Sequence, residues 1–255
     1  MSFQILPELS MAFLLIFARI GTLVMLLPGL GERAFPVRVR LSVALLLTLV
    51  FYPLASGFYP SPLGPITTVV GLLITEIAIG AVLGIAGRLM LAALQTAGTI
   101  IAQQLGLGFV MNVDPSQGQQ GALLGTFLTL LALALIFATD MHHMVIGALG
   151  QSYQIFRPGT LPDVDDAAKY VSELAAGSFK IAIQLSAPVL IFGLIFNVGL
   201  GVLARLMPQM QVFFIAMPAS ILLGFAILAL VLSAMMGVFL TYMRDGLSPL
   251  LPGGG

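Results

Sequence analysis

Few residues in this sequence carry a charge or a movable proton, and their positions decide what chemistry is open to it. Arg19 and Glu76 each stand near the middle of an apolar segment. An isolated charge at such a place in a bilayer costs ~2.5 to 3.5 kcal/mol even on insertion scales. The two are expected to pair at similar depth, either as a buried structural contact or as a charge that meets a substrate. Asp140, His142 and His143 offer three metal-binding groups in one short stretch. Adjacent histidines on a regular helix point about 100 degrees apart, and neither an HExxH pattern nor a cysteine accompanies them. They are expected to be interfacial polar residues at a helix end, with no metal and no cofactor. The sequence contains no GxSxG elbow and no phosphate loop ending in Gly-Lys-Ser or Gly-Lys-Thr. No catalytic residue is assigned, and the chain is not expected to be an enzyme.

The elements that must hold these groups follow from composition. Of 255 residues, 59% are hydrophobic and 8% charged, against about 25% charged in an ordinary soluble domain. Such a surface could not be kept in water, and the apolar runs reach the ~20 residues needed to cross a bilayer as helix. A closed barrel needs alternating segments of ~10 residues, which continuous runs such as residues 221–240 do not provide. Lys plus Arg equals Asp plus Glu at 10 each, and no basic stripe appears, which argues against nucleic acid. Cysteine is absent, so disulfides and thiolate chemistry are excluded.

Along the chain, residues 11–27 form a first apolar segment, 41–54 a shorter one, and 66–87 a third. Within the third, Gly80 and Gly84 form a small-xxx-small pair that lets another helix approach closely. Residues 89–104 are expected to form a separate, polar-flecked helix, and 122–138 an apolar one interrupted by Thr139, Asp140, His142 and His143. Residues 151–178 look exposed and lead into an amphipathic helix. Residues 181–206, with Pro188, Gly193, Asn197 and Gly199, have a broken-helix composition, and Pro218 and Gly224 are placed to kink or divide 211–240. About six crossings result, and the weak bias of Arg and Lys between the two sides places the N-terminus outside the cytoplasm.

The stretch QQLGLGFVMNVDP, residues 103–115, carries the most information. Gly106 and Gly108 flank Leu107 and lead to Phe109, Val110 and Met111, a flexible but apolar patch, before Asn112, Asp114 and Pro115 favour a turn. A surface loop between two crossings has no need of so many apolar side chains, whereas a constriction in a pore does.

Three stretches resemble the FliR family of flagellar biosynthetic proteins, in order and with compatible spacing. They are ARIGTLVMLLPGLGERAFPVRVRLSVAL at 18–45, QQLGLGFVMNVDP at 103–115 and LARLMPQMQVFFIAMPASILLG at 203–224. The resemblance implies an all-α integral membrane protein built of FliP-like helical hairpins, residues 1–178, followed by a FliQ-like hairpin, residues 179–255. It implies membership of a conical type III export gate in the bacterial inner membrane, at the flagellar basal body. The implied partners are FliP-like and FliQ-like subunits, an FlhB-like component and unfolded flagellar substrates. The resemblance also makes Gly106, Leu107, Gly108, Phe109, Val110, Met111, Asp114 and Pro115 a pore-closing loop, with Phe109 and Met111 as its apolar plug and the glycines as flexible points. Gly80, Gly84, Arg205, Pro208, Gln209 and Pro218 become packing and assembly positions. An injectisome export gate and a secondary transporter for a small solute remain as alternatives, although no inverted repeat or dense ion-binding set supports the transporter.

Overall fold

The computed structural model describes residues 5–27, 36–60, 65–107, 120–160, 164–207 and 212–251. Among these, the regular structure is helical throughout. The helices are α1 (Ile5–Leu26), α2 (Val37–Ala55), α3 (Ile66–Gln104), α4 (Gln120–Ala138), α5 (Met141–Ile155), α6 (Val164–Leu206) and α7 (Val212–Leu247), with single 3-10 turns at Ser56–Phe58 and Ser248–Leu250. Five helices are long and apolar enough to cross a membrane, and Leu123–Ala138 with Met141–Ile155 could make a sixth, broken span.

Two expectations about helix breaks are corrected. The segments read as 66–87 and 89–104 are one helix of 39 residues. Nothing between them removes a backbone donor, and the exposed Arg88 interrupts only the apolar pattern, not the hydrogen-bond ladder. The broken composition of 181–206 likewise lies inside α6, which runs 43 residues without a break through Pro188. Proline sacrifices one bond, here the one its absent N–H would have given to Gln184, and the turns on either side continue the ladder. Pro218 is also accommodated within α7, which is not divided. At 1.5 Å per residue α3 and α6 are roughly 58 and 65 Å long, about twice the ~30 Å of hydrocarbon. Both helices therefore hold about twice the residues that one crossing requires.

The chain forms two compact units. The first comprises Met1–Met90, Thr139–Ala175 and Asp245–Gly255, and the second Leu91–Ala138 and Ala176–Arg244. The core of the first is built on the apolar stripe of α1, where Leu15, Ile16, Ile20, Leu23 and Val24 are buried at the three- and four-residue spacing of one helix face. Ala44 and Phe51 of α2 and Ile79, Leu83 and Ala86 of α3 complete it. The second buries Leu94, Ala97 and Ile101 of α3, Leu128 and Ala132 of α4, Leu185 and Val189 of α6, and Phe239 of α7. Here α3 and α4 meet backbone to backbone. A Cβ added at Gly98 would overlap the backbone of Gly125, and one at Gly125 would lie 2.9 Å from the Gln95 carbonyl oxygen.

Because backbone cannot rotate aside as a side-chain tip can, Gly98→Ala and Gly125→Ala should each destabilise by ~1 to 3 kcal/mol. Gly71, with nothing within 4 Å of its added Cβ, is the control. Gly71→Ala should be neutral or stabilise by up to ~1 kcal/mol through helix propensity. Thermal unfolding in detergent, followed by helicity, compares the three; equal midpoints would show that the crossing has slack.

Candidate functional site

The charged residues singled out in the sequence meet in the first unit. Arg19 lies on the buried face of α1 and Glu76 on that of α3, and both side chains are 0% exposed. Arg19 Nε donates to Glu76 Oε2 at 2.5 Å and Nη2 to Oε1 at 3.0 Å, a two-pronged pairing of the planar guanidinium with the carboxylate. Nη1 donates to Ser152 Oγ at 3.2 Å, and Nη2 also donates to the Phe156 carbonyl oxygen at 3.0 Å. The Ser152 hydroxyl donates its own hydrogen bond to the Leu149 carbonyl at 2.7 Å, which leaves its oxygen lone pairs to accept from the guanidinium. Phe156 is the C-cap of α5, so the arginine sits at the negative end of that helix's dipole.

Aromatic rings close the cluster. The guanidinium carbon lies 4.1 Å from the centroid of the Tyr153 ring, a cation–π contact in a dry site. Tyr153 stacks in turn on Phe58, with centroids 6.4 Å apart. The buried Tyr59, next to Phe58, brings its phenol against the Glu76 carboxyl.

Small residues make this geometry reachable. A Cβ on Gly80 would collide with the Arg19 carbonyl oxygen, and one on Gly84 would lie 2.7 Å from the Leu26 Cβ. The small-xxx-small pair of α3 therefore receives α1, one helical turn along from the ion pair. Together these contacts tie α1, α3, α5 and the turn after α2 around one charge.

Sequence reasoning named Arg19, Glu76, Gly80 and Gly84 but missed Ser152, Tyr153, Tyr59 and the Phe156 carbonyl. A usable signal did exist. A buried guanidinium has five N–H groups, and one carboxylate cannot satisfy them, so further acceptors had to be supplied from elsewhere.

Of the loop residues, Gly106 and Leu107 are described, whereas Gly108, Phe109, Val110, Met111, Asp114 and Pro115 lie outside the described residues. Gly106 has φ +81°. Its N–H donates to the Gln103 carbonyl at 3.1 Å, and the Leu107 N–H to the Ala102 carbonyl at 3.0 Å. That pair of bonds is the Schellman termination of a helix, in which the left-handed glycine satisfies the last carbonyls. Gly106 is thereby a hydrogen-bonded helix stop for α3. Arg205 is exposed in the last turn of α6, where a cation complements the helix dipole. Pro208 and Gln209 lie outside the described residues, and Pro218 is exposed within α7.

Asp140, His142 and His143 lie at a helix end, with Asp140 at φ +58° as the N-cap of α5 and the two histidines in its first turn, and the ligand atoms of the three residues lie within 4.8 Å of one another.

Comparison with known proteins places these features in context. Residues 10–246 match the model of bacterial export proteins, family 1. The flagellar biosynthetic protein FliR of Caulobacter vibrioides is 42% identical over 91% of this chain and 92% of its own length. That of Bacillus subtilis is 30% identical over 89% of this chain and 88% of its own. The surface presentation of antigens protein SpaR of Salmonella typhimurium is 26% identical over 85% of this chain and 80% of its own.

Removing one member of the buried pair strands the other. Arg19→Ala and Glu76→Ala should each destabilise by ~3 to 5 kcal/mol, and the double substitution by clearly less than their sum. Arg19→Lys should not restore stability, since an ammonium cannot bridge a carboxylate, a hydroxyl and a carbonyl as the planar fork does. Thermal midpoints of the four variants in detergent give the coupling; strict additivity would mean the two charges act independently.

Proposed function

The chain belongs to the FliR family of bacterial export proteins, and from that premise we propose that it is a core subunit of the flagellar type III export gate. In this role it joins FliP-like and FliQ-like subunits in the inner membrane at the flagellar base. An FlhB-like component attaches to the gate, and unfolded flagellar proteins pass through it. The observation that carries the proposal is a family match spanning almost the whole chain, on an all-helical membrane protein. The flagellar relatives named above align at higher identity than the surface presentation relative, which favours the flagellar organelle over an injectisome. Small-solute transport is less well supported, because the buried arginine spends its donors on the protein itself.

Within the gate, residues 1–178 act as the FliP-like part and 179–255 as the FliQ-like hairpin, made from the later part of α6 and from α7. Support comes from the surface of those helices. Ile191, Leu194, Ile195, Val198 and Val202 of α6 and Leu222, Leu223 and Leu230 of α7 are exposed in the isolated chain. Apolar surface of this extent calls for lipid or for sister subunits. The division cuts across the two compact units because it follows kinship with the sister subunits, whereas compactness follows packing within this chain.

The loop that leaves α3 after Gly106 serves as the pore closure, with Leu107, Phe109, Val110 and Met111 excluding water and Asp114 and Pro115 setting its exit. The Gly106 helix stop supports this role by giving the loop a defined base. Arg205, Pro208, Gln209 and Pro218 serve assembly, at and after the end of α6.

Two measurements test the proposal. Affinity purification from native membranes should recover the chain with FliP-like and FliQ-like subunits, and co-expression with them should raise its yield over the chain alone. A monodisperse lone monomer of equal stability would sink the assembly claim. Deleting residues 108–111, which leaves the Gly106 stop intact, should raise ion conductance several-fold across membranes holding matched amounts of complex. Phe109→Ala should give a smaller rise, because Leu107 and Met111 partly replace its packing. Wild-type conductance in the assembled deletion complex would move the seal elsewhere.

A further inference from the structure

The only two histidines of the chain stand side by side, and the chain has no cysteine. Every imidazole it possesses is therefore in one place, at the start of α5. Asp140 adopts φ 58° and ψ 13°, a left-handed conformation that aspartate tolerates better than most residues. Its carboxylate makes no capping hydrogen bond to α5, the ordinary task of an aspartate at an N-cap. It turns instead toward His143, with Oδ1 3.7 Å from Nδ1. The imidazoles of His142 and His143 lie 4.1 Å apart between centroids. One donor atom from each of the three residues falls within a 4.8 Å span.

We propose that Asp140, His142 and His143 form a surface site for a divalent transition-metal ion of the zinc class, held by two imidazoles and one carboxylate with water in the remaining positions. Such ions take imidazole nitrogen at ~2.0 to 2.1 Å and carboxylate oxygen at ~2.0 to 2.2 Å, so donors sharing one ion lie no more than about 4 Å apart. Closing the present span needs roughly an ångström of movement. Asp140 and His143 are 78% and 69% exposed, so rotation of these two side chains brings their donors toward the half-buried His142. The ligand set, nitrogen and oxygen without thiolate, suits zinc, nickel or copper and disfavours magnesium and calcium, which require oxygen. The positive end of the α5 dipole opposes a cation here, and the anionic carboxylate offsets it. A bound ion would clamp Asp140 to the first turn of α5 and stiffen that turn. This site is separate from the export reading and stands or falls apart from it.

The protein is purified in detergent with a histidine-free affinity tag, within its complex where the partners are needed for stability, and stripped with a chelator. Zinc is then titrated against a chromophoric chelator, and copper(II) serves as a paramagnetic probe. The site should bind zinc in the micromolar range with one ion per chain, and the copper spectrum should carry hyperfine coupling from two nitrogens. His142→Ala and His143→Ala should each weaken binding by about tenfold or more, a loss at least as large as that expected from a second-sphere change. Asp140→Asn, which keeps a residue at home in the left-handed region, should weaken binding while leaving the helical signal and elution profile unchanged. His143→Gln replaces His143→Ala if the alanine variant does not fold. Zinc binding only at millimolar concentration would overturn the proposal. So would unchanged affinity in a folded variant lacking both histidines, or a copper spectrum with fewer than two nitrogens.

Discussion

A guanidinium buried in an apolar helix bundle cannot discard its charge, and much of this protein's first unit is arranged around that constraint. A lysine in the same place could shed its proton to lower the cost of burial, whereas arginine stays charged at any physiological pH. Arg19 must therefore find both a counter-charge and several hydrogen-bond acceptors. Glu76 supplies the first, and Ser152 and the Phe156 carbonyl supply the rest. These partners stand 57 to 137 residues away along the chain. One side chain thus sets the mutual placement of α1, α3 and α5. The glycines of α3 belong to the same arrangement, since only a bare backbone lets α1 come close enough for the pair to form.

Helix length imposes the second constraint. A span needs about 20 residues, yet α3 and α6 run to 39 and 43. Polar backbone is safe at any depth while it stays helical, which is why Pro188 and Pro218 can be carried inside the helices without dividing them. Long helices with apolar flanks present surface that lipid alone would cover over only part of their length. The exposed apolar rows of α6 and α7 are surface of this kind, left uncovered by the packing within the single chain.

Composition and run length were enough to settle the class, because 8% charge and long apolar segments leave helices in a membrane as the workable solution. The expense of unpaired charge was enough to nominate Arg19 and Glu76 as partners, and the small-xxx-small spacing to mark Gly80 and Gly84 as a contact. The motif stretches were enough to place the chain in its family. Each of these depends on local residue type or spacing, which a sequence displays directly.

Other features rest on relations that no local pattern encodes. Whether a glycine or proline ends a helix depends on what the surrounding turns can still satisfy, so the continuity of α3 and α6 emerged only in the folded chain. That Gly106 ends α3 shows only in its left-handed φ and in the bonds donated by its own N–H and that of Leu107. Ser152 and the Phe156 carbonyl became ligands of Arg19 because α5 brings them there, and a serine or a carbonyl carries no mark of that duty in one dimension. The same holds for Asp140, His142 and His143. His142 and His143 are neighbours in the first turn of α5, and the left-handed Asp140 before it sets where its carboxylate lies relative to them, because local backbone conformation, not sequence distance alone, sets where side chains meet.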